Sequence, residues 1–130
     1  MPTFSMTKVL RKSFDEAKAA LPDVLKSEGF GVLTHIDVKA TMKQKLDVDF
    51  RRYEIFGACN PPLAHKALTA EVGLGVMLPC NVVLFEDDAK RTVATTIDPM
   101  ATLAAQGSPV LKEVATEVRA RLERVLAKLE

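Results

Sequence analysis

Tryptophan is missing from this chain of 130 residues, tyrosine occurs once, and cysteine and histidine occur twice each. With so few aromatic rings, the core has to be built from Leu, Val, Ala and Met. Two cysteines cannot staple a disulfide scaffold. Their positions, Cys59 and Cys80, also exclude a C-x-x-C redox motif, so free thiols in a reducing compartment are expected. Charge of one sign is lacking too: 18 basic residues face 17 acidic ones, and the basic doublets Arg51-Arg52 and Lys90-Arg91 stand alone. A nucleic-acid partner, which calls for a stripe of Lys and Arg against phosphates, is therefore not expected.

Long apolar runs are absent as well. The best, Val72–Phe85, is interrupted by Gly73, Gly75, Pro79 and Asn81 and falls short of the ~20 apolar residues that span a bilayer. The opening MPTFSMTKVLRKSF has no apolar signal-peptide core. A cytoplasmic protein without a membrane partner is expected, folded as one domain over 1–130. Phosphate-loop, dinucleotide and nucleophile-elbow motifs do not occur, and no cofactor is indicated.

What the chain does have is clear periodicity. Residues 3–10 alternate as a strand, with Lys8 on its apolar parity. Ser13-x-x-Glu16 is a capping box, and the helix it opens should run over 14–28 to Gly29, with Pro22 bending or interrupting it. A strand over 30–38, a short helix over 40–47 and a strand over 51–58 follow. In the last of these, Tyr53 and Ile55 form the apolar parity against Glu54 and Phe56. Asn60-Pro61 has the cap-then-proline form of a helix start, predicting a helix over 61–71 with Leu63, Ala64, Ala67 and Leu68 inward. Residues 79–86 are apolar on both parities and predict a central strand, returned through Asp87-Asp88 into a strand over 91–97. Asp98-Pro99 and Ser108-Pro109 repeat the cap signal. The second opens a long helix striped by Leu111, Val114, Val118, Leu122, Val125 and Leu129. The order β-α-β-(α)-β-α-β-β-α implies an α+β two-layer sandwich: a mixed sheet of about five strands with helices packed on it. One sheet face is then left needing cover, which favours a homodimer.

Candidate chemistry centres on two segments, Cys59-Asn60-Pro61 and Pro79-Cys80-Asn81. A thiol next to a helix N-terminus can have a lowered pKa, so Cys59 and Cys80 are candidate catalytic thiols for redox or sulfur transfer. The plainer reading is two small buried hydrophobes. Two thiols fall short of the four ligands of structural zinc, and His35 and His65 would have to complete a Cys/His metal site, so no metal residues are assigned. Asn60, Asn81 and Asp98 are candidate ligand-binding residues, for a small anionic or thiol ligand held by amides and helix N-termini. For Asn60 the alternative is a helix cap. Asn81, inside an apolar strand, would need a buried partner. Glu54 is the other acid beside these elements.

GACNPPLAHKAL at 57–68 and LPCNVVLFED at 78–87 resemble the two signature segments of the DUF302 family, and EGFGVLTHIDVKATMKQKL at 28–46 fits the family's strand and short helix. Pro22, Pro62 and Met77 depart from its pattern. The resemblance covers nearly the whole chain. It implies a compact, dimeric two-layer domain, and it supplies no catalytic roles for Cys59 or Cys80.

Overall fold

The computed structural model describes residues 3–130. Five strands, β1 (Ser5–Leu10), β2 (Gly31–Asp37), β3 (Tyr53–Cys59), β4 (Cys80–Glu86) and β5 (Thr92–Ile97), form one sheet in the order β1-β5-β4-β3-β2. Between and after them run the helices α1 (Phe14–Ser27), α2 (Val38–Leu46), α3 (Pro61–Ala70), α4 (Pro99–Thr102) and α5 (Pro109–Leu129), with short 3-10 segments at Val72–Met77 and Ala104–Gln106. The α+β sandwich and its five strands are as expected, and β4 is the central strand. The sheet is not mixed, however: all four pairings are antiparallel. The connections explain this. β1-α1-β2 joins the two edges of the sheet and creates no neighbouring pair. The α3 connection starts and ends at the same end of the sheet, where Ala58 lies opposite Cys80, so β4 must run against β3.

Local signals set the helix ends. The capping box of α1 forms, with Ser13 Oγ accepting from Glu16 N–H and Glu16 Oε1 accepting from Ser13 N–H. The helix continues through Pro22 without ending. It stops at Gly29, whose φ of +83° suits glycine and lets Phe30 N–H reach back to the Leu25 carbonyl. α5 starts from Ser108 and Pro109 as expected. α2 starts two residues earlier than its pattern suggested, because Asp37 caps it by accepting from Ala40 N–H.

The core lies between one sheet face and the helices. Leu21 and Leu25 of α1, Val82 and Leu84 of β4, and the whole predicted stripe of α5 are buried there. On β3 the inward parity is Glu54, Phe56 and Ala58, the reverse of the Tyr53/Ile55 expectation. The buried Glu54 carboxylate is balanced by Lys18 Nζ at 2.9 Å and His35 Nε2 at 2.5 Å, and the His35 ring stacks on Phe56. Lys8 also points to this side, where it pairs with Glu130 at 2.8 Å. Its place on the apolar parity of β1 is thereby accounted for.

Candidate functional site

A cavity of about 290 Å³ opens where α3 and α5 meet the ends of β3 and β4. Small side chains create it. Ala58 on β3, Cys80 on β4, and Ala64 and Ala67 on α3 stand where larger residues would close the gap that Leu21, Leu25 and Leu84 fill elsewhere. Leu63 and Leu68, expected to be core residues, line this space and are only partly buried. Phe30, Leu33, Leu78, Leu103, Val114 and Val118 add to the wall.

Both cysteines line the cavity, and both are free. Cys80 is buried, and burial pushes its thiol pKa up to about 11, helped by the like charge that Cys59 would carry beside it. It is a neutral thiol at physiological pH and a weak nucleophile. Cys59 is partly exposed. The Cα opposite Cys80 belongs to Ala58, so the two cysteines are not a directly opposed cross-strand pair.

Asn60 also lines the cavity, but its side chain is already used. Its Oδ1 caps α3 by accepting from Leu63 N–H at 3.2 Å. Its Nδ2 lies so close to Gly29 that a Cβ added there would be 2.8 Å away, with Arg121 Nη1 at 3.2 Å from the same point. Arg121 Nη1 in turn donates to the Glu28 carbonyl at 2.8 Å. The end of α1, the start of α3 and the middle of α5 thus meet around Asn60. Next to this junction the Glu28 carboxylate accepts from Lys128 and Arg124, which hold it below the usual carboxylate range.

Asn81 does not join this site. Consecutive strand residues point to opposite faces, and Asn81 shares the outer face with Val83 and Phe85. It is exposed and sits in a shallow trough with Tyr53, Thr95 and Ile97. Solvent reaches its amide, so the buried partner expected for it is not needed. Asp98 lines neither place, although its N–H donates to the carbonyl of Phe4 beside the trough. It caps α4 by accepting from Met100 N–H at 2.9 Å and pairs with Arg119 at 3.1 Å. The cavity lining carries no charged side chain, and both expected helix-start anion sites are occupied by their own caps. Among the described residues no three His, Cys, Asp or Glu side chains come together as metal ligands: His35 is held by Glu54, and His65 is exposed on α3. Nor is any described helix long and apolar enough to cross a membrane.

Sequence reasoning missed the cavity itself, the buried Glu54 and the Glu28 cluster. The signal for the cavity was present in the run of small residues Ala58, Ala64, Ala67 and Cys80 on elements that face each other.

An antiparallel five-stranded sheet, α1, α3 and α5 packed on one face and a small-residue cavity under α3 define a class of two-layer α+β domain. The chain belongs to the DUF302 family, described as a domain of unknown function, whose model matches residues 6–129. Its fold is similar to the crystal structure of an uncharacterized conserved protein DUF302 from Bacillus stearothermophilus. The TM-score is 0.90 at 28% sequence identity, over 99% of this chain and 100% of that one. No curated protein matches.

Proposed function

We propose that the chain is a homodimeric binding protein for a small, uncharged, mainly apolar ligand seated beside Cys59, Asn60 and Cys80. The cavity of about 290 Å³ between sheet and helices carries this reading: it has ligand-site dimensions and an apolar wall with a few polar atoms at its edge. An anion is a poorer fit, because it would lose its water without gaining a counter-charge. A thiol-bearing or thioether ligand suits the two cysteines.

The test is titration with N-phenyl-1-naphthylamine, a neutral apolar fluorophore. Saturable enhancement at one probe per chain, abolished in Ala64→Phe, is expected. No saturable signal, or an unchanged one in folded A64F protein, overturns the reading.

A second reading rests on both thiols lining one cavity: thiol-dependent redox or sulfur transfer, in which Cys59 attacks a sulfur of a substrate disulfide or persulfide and expels its thiol, and Cys80 then displaces the transferred group as a thiol or hydrosulfide while the Cys59–Cys80 disulfide closes. The raised pKa of Cys80 suits a resolving role better than an attacking one. If Cys59, like Cys80, resists iodoacetamide in the folded protein at pH 8, this second reading falls.

A further inference from the structure

The outer face of the sheet has an unusual composition. At its outward positions β1 presents Ser5, Thr7 and Val9, β5 presents Val93, Thr95 and Ile97, and β4 presents Asn81, Val83 and Phe85. β3 and β2 add Tyr53, Ile55, Gly57, Thr34 and Ile36. None of these residues is charged, although 27% of the chain is Asp, Glu, Lys or Arg. The strand charges lie on the opposite parity instead, where Lys8 pairs with Glu130 and Glu54 with Lys18. A solvated antiparallel face ordinarily alternates to polar and charged residues. This one keeps Ile36 and Val9 about half exposed, at 48% and 45%.

We infer that this face is where two copies of the chain meet, sheet on sheet, with Val83 at the centre of the contact. The inference rests on the dimeric part of the reading above and specifies its geometry. A second copy suits the face for two reasons. First, a face without net charge can lie against its own image with no like-charge repulsion. The Asn81 amide both donates and accepts, so it can serve an identical group across the axis, while the Thr7 and Thr95 hydroxyls bond to each other and Thr95 donates to the Met6 carbonyl within the chain. Second, the area is sufficient. Five strands ~4.8 Å apart, each about six residues long at ~3.3 Å per residue, cover roughly 480 Å² in projection. Two copies bring together about 1,000 Å², the size that a specific interface must reach, before side-chain relief is counted. β4 is the middle strand and Val83 lies mid-way along it, so a two-fold axis over the centre of the face brings Val83 beside its copy.

The experiment is sedimentation equilibrium on the wild-type chain, Val83→Lys, Val83→Glu and an equimolar mixture of the two variants, with circular dichroism confirming that each is folded. The wild type is expected at twice the 14.2 kDa chain mass. Each variant alone should show a dissociation constant raised by ~100-fold, because like charges meet in the interface. The mixture should return to dimer, since Lys then faces Glu. A monomeric wild type overturns both this inference and the dimeric reading. A dimeric wild type whose variants remain dimeric leaves the dimer standing and removes it from this face. Folded monomeric variants that fail to pair when mixed overturn the central placement of Val83.

Discussion

The two faces of the sheet come from the same strands yet follow opposite rules. The helix-covered face is closely packed, with Val82, Leu84 and Ala94 fully buried, and it also holds strand charges, among them Lys8 paired with Glu130 and Glu54 paired with Lys18. The outer face is neutral, partly exposed and made of β-branched, aromatic and hydroxyl side chains. The inner face is satisfied within one chain. The outer face keeps Val9 and Ile36 about half exposed, although Val93 on the same face is buried. Stability is therefore concentrated on one side of β4, and the two proposed recognition sites are the cavity at its start and the surface behind it.

This contrast can be broken most forcefully from the inside. Leu84→Ala removes a fully buried side chain at the centre of the core and should cost about 2–5 kcal/mol in urea unfolding. A loss under ~1 kcal/mol, within the range of surface changes, would mean that the core is far more plastic than its packing implies.

The next largest effect is expected at Gly57, a crowded point of the outer face. A Cβ on Gly57 would lie 2.1 Å from Thr34 Oγ1 and 2.7 Å from the Pro79 ring. Gly57→Ala should thus destabilise by about 1–3 kcal/mol, as overpacking does. Thr34→Ala in the same chain should recover part of that loss, and no recovery would place the strain elsewhere.

A smaller effect is expected from Glu28, through its pH dependence. Lys128 and Arg124 hold its folded-state pKa below the ordinary 4.5. Its contribution is therefore complete above about that pH and fades as pH falls through the lowered value. Glu28→Gln should reduce the melting temperature at neutral pH, and the gap to wild type should narrow below 4.5. A gap that is constant with pH would show that the carboxylate charge is not what matters. The smallest effect is expected at Asn81. At concentrations where the chain is monomeric, Asn81→Ser should change stability by no more than ~0.5 kcal/mol, as surface substitutions do. A larger loss would show that its amide has a structural partner.

Much of the fold could be read from local chemistry. Ser13, Asn60, Asp98 and Ser108 all cap the helices their spacing announced. The double apolar pattern of 82–85 placed β4 in the middle. Other features depend on information that no local window holds. Alternation along β3 divides its residues between two faces but does not say which face is inner. The answer came from Lys18 on another element, which makes burial of Glu54 tolerable. The antiparallel pairing of β3 with β4 depends on where α3 leaves and returns, which periodicity does not report.

The twin Cys-Asn segments misled for a different reason. At Cys59-Asn60 the strand is ending and the chain turns into a helix, so both residues line the cavity. At Cys80-Asn81 the strand is beginning, and the pleat sends the pair to opposite sides. Identical dipeptides thus acquire different geometry from the element each one borders.

The junction at Asn60 has a further consequence. α3 forms one wall of the cavity; its first turn, capped by Asn60, lies beside Gly29 and Arg121, and Lys66 further along it pairs with Glu113 of α5. Its far end runs into Val72–Met77, where Val72 and Val76 are 84% and 93% exposed and only Leu74 is buried. The wall is thus set from its capped end and its α5 side, so substitutions at Asn60 would shift it as a unit, while those at the exposed Val72 and Val76, outside the cavity lining, would leave it where it is.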